Sequence, residues 1–182
     1  MEEVQLNTNE LVSRSQAGCS DSFEQLVEQF ERRLFTYLYR LVGNTHDAED
    51  LIQETFVKVH RDLHRYRSEY SFSTWIYTIA KRTAYTFLKR RKPTESIQED
   101  TRVEDADPSL LLESRESQDS IWELARKLKP TWREALWLRY GEDLSVAETA
   151  AIMETNAVRV RVILHRARNQ LTQMLKQRQS TY

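Results

Sequence analysis

Apolar residues along this chain return every three or four positions in two blocks, and between the blocks that period is lost. A repeat near 3.6 residues marks helices that bury one face. In the first block Asn9 can cap a short helix running to Gly18, and Asp21 with Glu24 three residues on forms a capping-box-like start for a long one. That second helix carries Phe23, Leu26, Val27, Phe30, Leu34, Leu38, Leu41 and Val42 on one stripe, a predicted core face, and stops at Gly43. A third helix starts near Thr45, turning Ala48, Leu51, Ile52, Thr55, Phe56, Val59 and Leu63 inward and Asp47, Glu49, Asp50, Gln53 and Glu54 outward. After an aromatic loop, His64 to Ser71, a fourth helix runs from about Phe72 to Arg91 and ends before Pro93, where proline excludes the residue ahead of it from helical geometry.

From Pro93 to about Glu116 the sequence is polar and acidic, with no sustained period beyond the run Leu110, Leu111, Leu112. It reads as a linker that cannot bury enough apolar surface to fold alone. Regularity returns at Ser120. Ile121, Leu124, Ala125 and Leu128 mark one helix, Pro130 ends it, and Thr131 with Glu134 makes a capping box for the next, which reaches Tyr140. Gly141 permits a turn. Ser145 and Glu148 form a further capping box opening the short helix Val146 to Met153, and Thr155 or Asn156 caps a last helix from Ala157 to about Lys176.

Charge sharpens this division. Residues 1–92 carry net +1, residues 93–119 net −7 and residues 120–182 net +5, which together make the chain's −1. We therefore expect an all-α protein of two small domains, 1–92 and 120–182, joined by an acidic linker, 93–119. Only 3 Gly and 3 Pro leave little turn chemistry for a sandwich or barrel. The single cysteine, Cys19, excludes an intramolecular disulfide and reads as a small semi-buried residue near a helix end rather than a redox sensor. His60 and His64 stand four apart, but without a third ligand they suit a partly exposed helix face better than a metal site. No stretch approaches the roughly 18 apolar residues of a membrane span, and the acidic start Met1, Glu2, Glu3 is unlike a signal peptide, so a cytoplasmic location is expected. No nucleophile–base pair, phosphate loop or metal cluster is visible, and neither enzymatic activity nor a cofactor is expected.

Two constellations point to nucleic acid. At the C-terminus a short helix, a turn and a longer helix follow the helix-turn-helix plan, whose second helix enters the major groove. On that helix Val160, Leu164, Ala167, Leu171 and Leu175 step by three or four and face the core, leaving Arg159, Arg161, His165, Arg166 and Arg168 outside. Arg159 and Arg161 can reach guanine edges or phosphates, the later arginines can follow the backbone, and Val162 can touch a thymine methyl. An amphipathic helix with merely solvated arginines is the plainer alternative. In the fourth helix Lys81, Arg82, Lys89 and Arg90 lie in a stretch without acids from Ser71 to Lys92, beside Tyr66, Tyr70, Phe72, Trp75, Tyr77 and Tyr85. Cations interleaved with rings suit single-stranded DNA, each stacked base contributing about 1–3 kcal/mol. Most of these rings, Trp75 among them, are expected in the core, with two of the six left to meet DNA.

The runs Asp47-Ala48-Glu49-Asp50-Leu51-Ile52-Gln53-Glu54-Thr55-Phe56, Phe72-Ser73-Thr74-Trp75-Ile76-Tyr77-Thr78-Ile79-Ala80 and Leu164-His165-Arg166-Ala167-Arg168 resemble, in this order and spacing, the extracytoplasmic-function sigma factors of bacterial RNA polymerase. The resemblance covers roughly Asp21 to Leu175. It implies two helical domains, regions two and four. It also implies docking of the first motif on the coiled coil of the polymerase β′ clamp, with Asp47, Asp50, Gln53 and Glu54 at the interface. The loop from Arg65 to Ser73 resembles the one that captures a base flipped out of the minus-ten element, so melting is driven by binding. The linker of such proteins threads the active-site cleft, where its negative charge mimics nucleic acid; a passive spacer is the alternative. The last helix is expected on the minus-thirty-five element, and Trp132 and Leu136 at the β flap tip. An anti-sigma protein wedged between the domains holds many relatives inactive, which makes such a protein a candidate partner beside core polymerase and promoter DNA.

This chain departs from the family pattern in two places. Lys81, Arg82 and Thr86 stand where relatives carry a basic residue, an asparagine and an aspartate. Val158-Arg159-Val160-Arg161-Val162-Ile163 replaces a frequent Gly-Thr-Val-Lys-Ser-Arg start. Neither promoter element can be borrowed from commoner members. The alternative functions are a helix-turn-helix regulator that binds duplex DNA on its own, with the first block for dimerisation, and an adaptor that docks only on protein.

Overall fold

The computed structural model describes residues 7–91 and 116–179, the side chains of 116–120 and of Gln179 excepted. Most of the segment expected as a linker therefore lies outside the described residues. All regular structure among the described residues is helical, in two compact units.

The first unit opens with α1, Thr8–Gln16, then α2, Ser20–Val42. Asn7, not Asn9, caps α1: its side chain accepts from the Glu10 amide at 3.0 Å, and Glu10 returns the bond to the Asn7 amide at 3.1 Å. The box expected from Asp21 and Glu24 is absent, because the chain leaves the left-handed Gly18 (φ +93°) and turns helical at once. Cys19 takes the cap position without a side-chain bond to a helix amide, and Asp21 falls inside the first turn, where a carboxylate still suits the positive helix end. Gly43, at φ 75°, stops α2 as expected, its amide donating to the Tyr39 carbonyl. The third helix, α3, spans Thr45–Asp62, capped by Asn44, and runs into a 3₁₀ turn, Leu63–Arg65; α4 spans Phe72–Arg91.

Helices α2, α3 and α4 pack on one another, with α1 laid against α2. The core takes Leu26, Phe30, Leu34 and Leu38 from α2, Ala48, Leu51 and Val59 from α3, and Phe72, Ile76, Tyr77 and Ala80 from α4. Its rings meet edge to face, Phe30 on Phe72 at 5.4 Å and Tyr37 on Tyr77 at 5.2 Å, the arrangement that aromatic quadrupoles favour. Phe23, Val27, Leu41 and Phe56, expected on the core face, are only half-buried at its margin.

The second unit comprises α5, Glu116–Ala125; α6, Pro130–Leu136, continued by a π-helical turn, Trp137–Gly141; α7, Val146–Ile152; and α8, Ala157–Gln179. Pro130 does not end a helix but begins one: it occupies the first turn of α6, where the amide it lacks would have had no partner. Lys129 thereby becomes the cap, no Thr131–Glu134 box forms, and Glu134 is buried. Helices α5, α6 and α7 all pack on α8. Val160, Leu164, Ala167 and Leu171 supply its buried stripe; Leu175 is half-buried, and Ile121 of α5, expected inside, is 41% exposed. Gly141 serves a close approach rather than a turn: a Cβ there would stand 2.7 Å from the Trp137 ring, and the left-handed residue of the following turn is Asp143.

Candidate nucleic-acid and protein interfaces

On α3 the inward residues are consumed by the core, while Glu49, Asp50, Gln53 and Glu54 stay exposed. They are not all unengaged: Glu54 pairs with Lys58 at 2.7 Å, and Lys58 also donates to Thr83 Oγ1 on α4 at 3.0 Å. Asp47 departs from its expected place. Its amide is held by Asn44 Oδ1, and its carboxylate pairs with Arg91 at the end of α4, leaving the side chain 15% exposed. It ties two helices together instead of joining the outward acidic set. Val57, 67% exposed, extends the outer face by an apolar residue with no counterpart in the expected acidic set.

The aromatic loop is fastened from two sides. Gln16 of α1 donates through Nε2 to the carbonyls of Leu63 (2.9 Å) and Tyr66 (3.2 Å), and the Tyr66 hydroxyl donates to the Tyr70 carbonyl at 2.8 Å. Ser71 closes the loop by accepting from the Thr74 amide at the start of α4. Tyr66 is buried against Phe72 and Trp75, at 5.5 and 5.3 Å, and burial pushes its phenol above the ordinary range, so the hydroxyl stays a donor. This corrects the expectation that Tyr66 meets DNA: its ring is the wedge on which the loop is built. Trp75 is half-buried in the same cluster, and Phe72 and Tyr77 are core. Tyr70 (54%) and Tyr85 (42%) are the two rings of the six left exposed. Arg65 is exposed, Ser73 half-buried. On α4, Lys81 lies half-buried with its ammonium 5.3 Å from the Tyr85 ring, and Arg82, Lys89 and Arg90 are exposed.

The second unit builds a helix-turn-helix. Ser145 Oγ accepts from the Glu148 amide (3.1 Å) and Glu148 accepts from the Ser145 amide (3.0 Å), the expected box at the start of α7. The chain reverses through Met153, Glu154 and Thr155, with Glu154 left-handed at φ 52°, and Asn156 caps α8 by accepting from the Arg159 amide at 2.8 Å. Arg159, Arg161, His165, Arg166 and Arg168 are all exposed, as is Val162. Asn169 bonds His165 at 3.1 Å, and Arg168 donates to the Tyr140 hydroxyl at 3.3 Å. Of the two residues expected at the polymerase flap, Trp132 is half-buried under Lys129, while Leu136 is 3% exposed in the core of this unit and unavailable for docking. Helix α6 packs on α8 and buries Leu136. Burial and the neighbouring Arg126 charge lower the Arg133 guanidinium, which donates to the Arg126 carbonyl.

Among the described residues no three His, Cys, Asp or Glu are grouped to hold a metal, and no helix is long and apolar enough to cross a membrane. Cys19 is exposed, not semi-buried, and with Phe23, His60 and His64 lines a cavity of about 220 Å³.

Two helical units, one a helix-turn-helix with an arginine-lined outer face, define a DNA-binding protein that also carries an acidic face no DNA backbone would accept. Comparison with known proteins gives the family. Sigma-70 region 2 matches residues 26–94 and Sigma-70, region 4 matches residues 118–171. The chain is 32% identical over 172 residues to the ECF RNA polymerase sigma factor BldN of Streptomyces coelicolor, covering 91% of the chain and 65% of that protein. It is 33% identical over 179 residues to the ECF RNA polymerase sigma-E factor of Haemophilus influenzae, covering 92% and 94%. Among solved structures, the sigma factor RpoE in complex with the anti-sigma factor NepR from Bartonella quintana shares the fold, with a TM-score of 0.65 over 85% of this chain and 96% of that one at 23% identity. The chain belongs to the ECF sigma factors of the sigma-70 family. It is a transcription initiation factor that directs RNA polymerase to promoters, and not an enzyme. The free-standing regulator is not favoured.

Proposed function

We propose that the exposed face of α3, centred on Asp50, Gln53 and Glu54, docks on the β′ clamp of core RNA polymerase. The observation that carries this is the exposure of these three, with Glu49 and Val57 beside them, on the face of α3 turned away from the core, while Asp47 is drawn off into its pair with Arg91. In the same unit Tyr70, with Arg65 before it and Ser73 in the first turn of α4, takes the unstacked minus-ten base. Tyr85 and the cations Lys81, Arg82, Lys89 and Arg90 follow the single strand. In the second unit α8 enters the major groove at the minus-thirty-five element, using Arg159, Arg161, Val162, His165, Arg166 and Arg168, and Trp132 meets the β flap. Residues 1–92 and 120–182 act as regions two and four. The acidic stretch 93–119 suits the basic interior of polymerase, and an anti-sigma protein is a further partner, as for the Bartonella quintana protein. The site of action is the cytoplasm, where polymerase and promoter are.

Run-off transcription with core polymerase, from the promoter upstream of the protein's own gene, tests this. A discrete transcript that requires the protein, and that falls at least tenfold with Asp50→Arg or Gln53→Arg while far-UV circular dichroism stays unchanged, is the expected result. Full activity of both variants would move the docking surface off α3.

A further inference from the structure

The outward face of α8 is not uniformly basic. At about 3.6 residues per turn, Val158, Val162 and Asn169 stand opposite the buried line of Val160, Leu164, Ala167 and Leu171, with His165 close beside them. Arg159 and Arg166 lie on one shoulder of that face, Arg161 and Arg168 on the other. The two turns nearest Asn156, the part of a recognition helix that reaches deepest into the groove, thus present valines at the centre and cations at the flanks. Val158 is 67% exposed and Val162 43%. A single exposed valine is ordinary, but two in register between paired arginines form an apolar strip where a reader of guanine or adenine would place a hydrogen-bonding side chain.

We infer that this strip reads thymine: Val158 and Val162 contact the C5-methyl groups of thymines in the minus-thirty-five element, and the shouldering arginines hold the phosphates of the two strands. The inference rests on the assignment of α8 to that element. In the major groove a valine side chain offers no donor or acceptor, so the thymine methyl is the base-edge feature it can recognise by contact. Residues four apart on a helix stand roughly 5–6 Å apart at Cβ, against a rise of about 3.4 Å per base pair, so the two methyls belong to base pairs one or two steps apart. Arginines at the flanks supply affinity that is indifferent to sequence, which leaves discrimination to the valines. Asn169, engaged with His165, lies further along the helix and beyond those base pairs.

The test uses holoenzyme made from core polymerase and the full chain. Promoter duplexes are selected from a pool randomised across the minus-thirty-five element, and each recovered thymine is then replaced by deoxyuridine, which removes the methyl and keeps the pairing. The expected result is thymine fixed at two positions one or two steps apart. Deoxyuridine there should lower open-complex formation about fourfold for one methyl and about fifteenfold for both, in line with the loss of buried methyl groups. Val158→Ala with Val162→Ala should abolish the difference between thymine and deoxyuridine while cytosine remains disfavoured no more than in the parent. Indifference of the parent to deoxyuridine, or an element without fixed thymine, overturns the inference although transcription still depends on the protein. Absence of any protein-dependent transcript overturns it together with the assignment on which it rests.

Discussion

Cys19 shows how much a single side chain's chemistry depends on where a helix begins. It stands at the cap of α2, exposed, and the Ser22 hydroxyl donates to its sulfur at 3.2 Å. That bond holds the thiol below its ordinary range. A lower pKa raises the thiolate fraction near neutrality, and the thiolate is the reactive form. Cys19 should therefore react with iodoacetamide at pH 7.5 faster than the same cysteine in denatured protein, and Ser22→Ala should narrow the gap. Equal rates in native and denatured chain would show that the bond does not persist in solution. Asp62 follows the same logic: the hydrogen bond from Arg61 holds its carboxyl below the ordinary range. The folded state thus gains from this group above the unfolded pKa, and loses that gain as pH falls through the lowered value.

At the scale of elements, the helix-turn-helix stands on two local devices. The capping box of Ser145 and Glu148 satisfies amides at the start of α7 that the helix itself leaves unpaired. Ser145→Ala should cost about 1 kcal/mol in urea unfolding followed by circular dichroism. The second device is Gly141, whose missing side chain leaves room for Trp137, itself packed on Trp122 at 5.0 Å. Gly141→Ala forces that ring or the π-helical turn to move and should cost about 1–3 kcal/mol in the same measurement. A change within 0.5 kcal/mol, a rough bound for surface substitutions, would mean the turn relaxes freely and the contact is incidental. The loop that presents Tyr70 is organised differently. Its geometry comes from Gln16 of α1 together with the buried Tyr66 ring and the Tyr66–Tyr70 and Ser71–Thr74 bonds, so it is fixed from α1 as well as from within.

The whole chain carries almost no net charge, and its behaviour with DNA follows from how that charge is divided. Residues 120–182 carry net +5 and place four arginines on the shoulders of α8, whereas the acids of the first 92 residues include the outer face of α3. Each arginine that neutralises a phosphate releases counterions, so holoenzyme binding to a promoter duplex should weaken steeply as salt rises from about 50 to about 200 mM. Arg159→Ala or Arg166→Ala should each lower the slope of log affinity against log salt by about 1 and weaken binding similarly on matched and mismatched elements. A variant that changes base preference but not the slope would place that arginine on a base edge instead.

What the sequence determined by itself was set by short-range periodicity: helical class, the centres of the buried stripes of α2, α3 and α8, the box at Ser145, and the outward arginines of the last helix. Those features depend on residues three or four apart, and motif spacing carried the family as well. Only the tertiary structure decided which side of the surface a polar or aromatic residue takes. Asp47 is drawn to Arg91, 44 positions away, and Gln16 reaches Tyr66 across 50. Tyr66 and Leu136 vanish into cores that their own neighbourhoods do not define, and Tyr70, four residues after Tyr66, is left outside. A helix repeat fixes which residues share a face. Contacts between elements distant in sequence decide how much of that face remains for a partner.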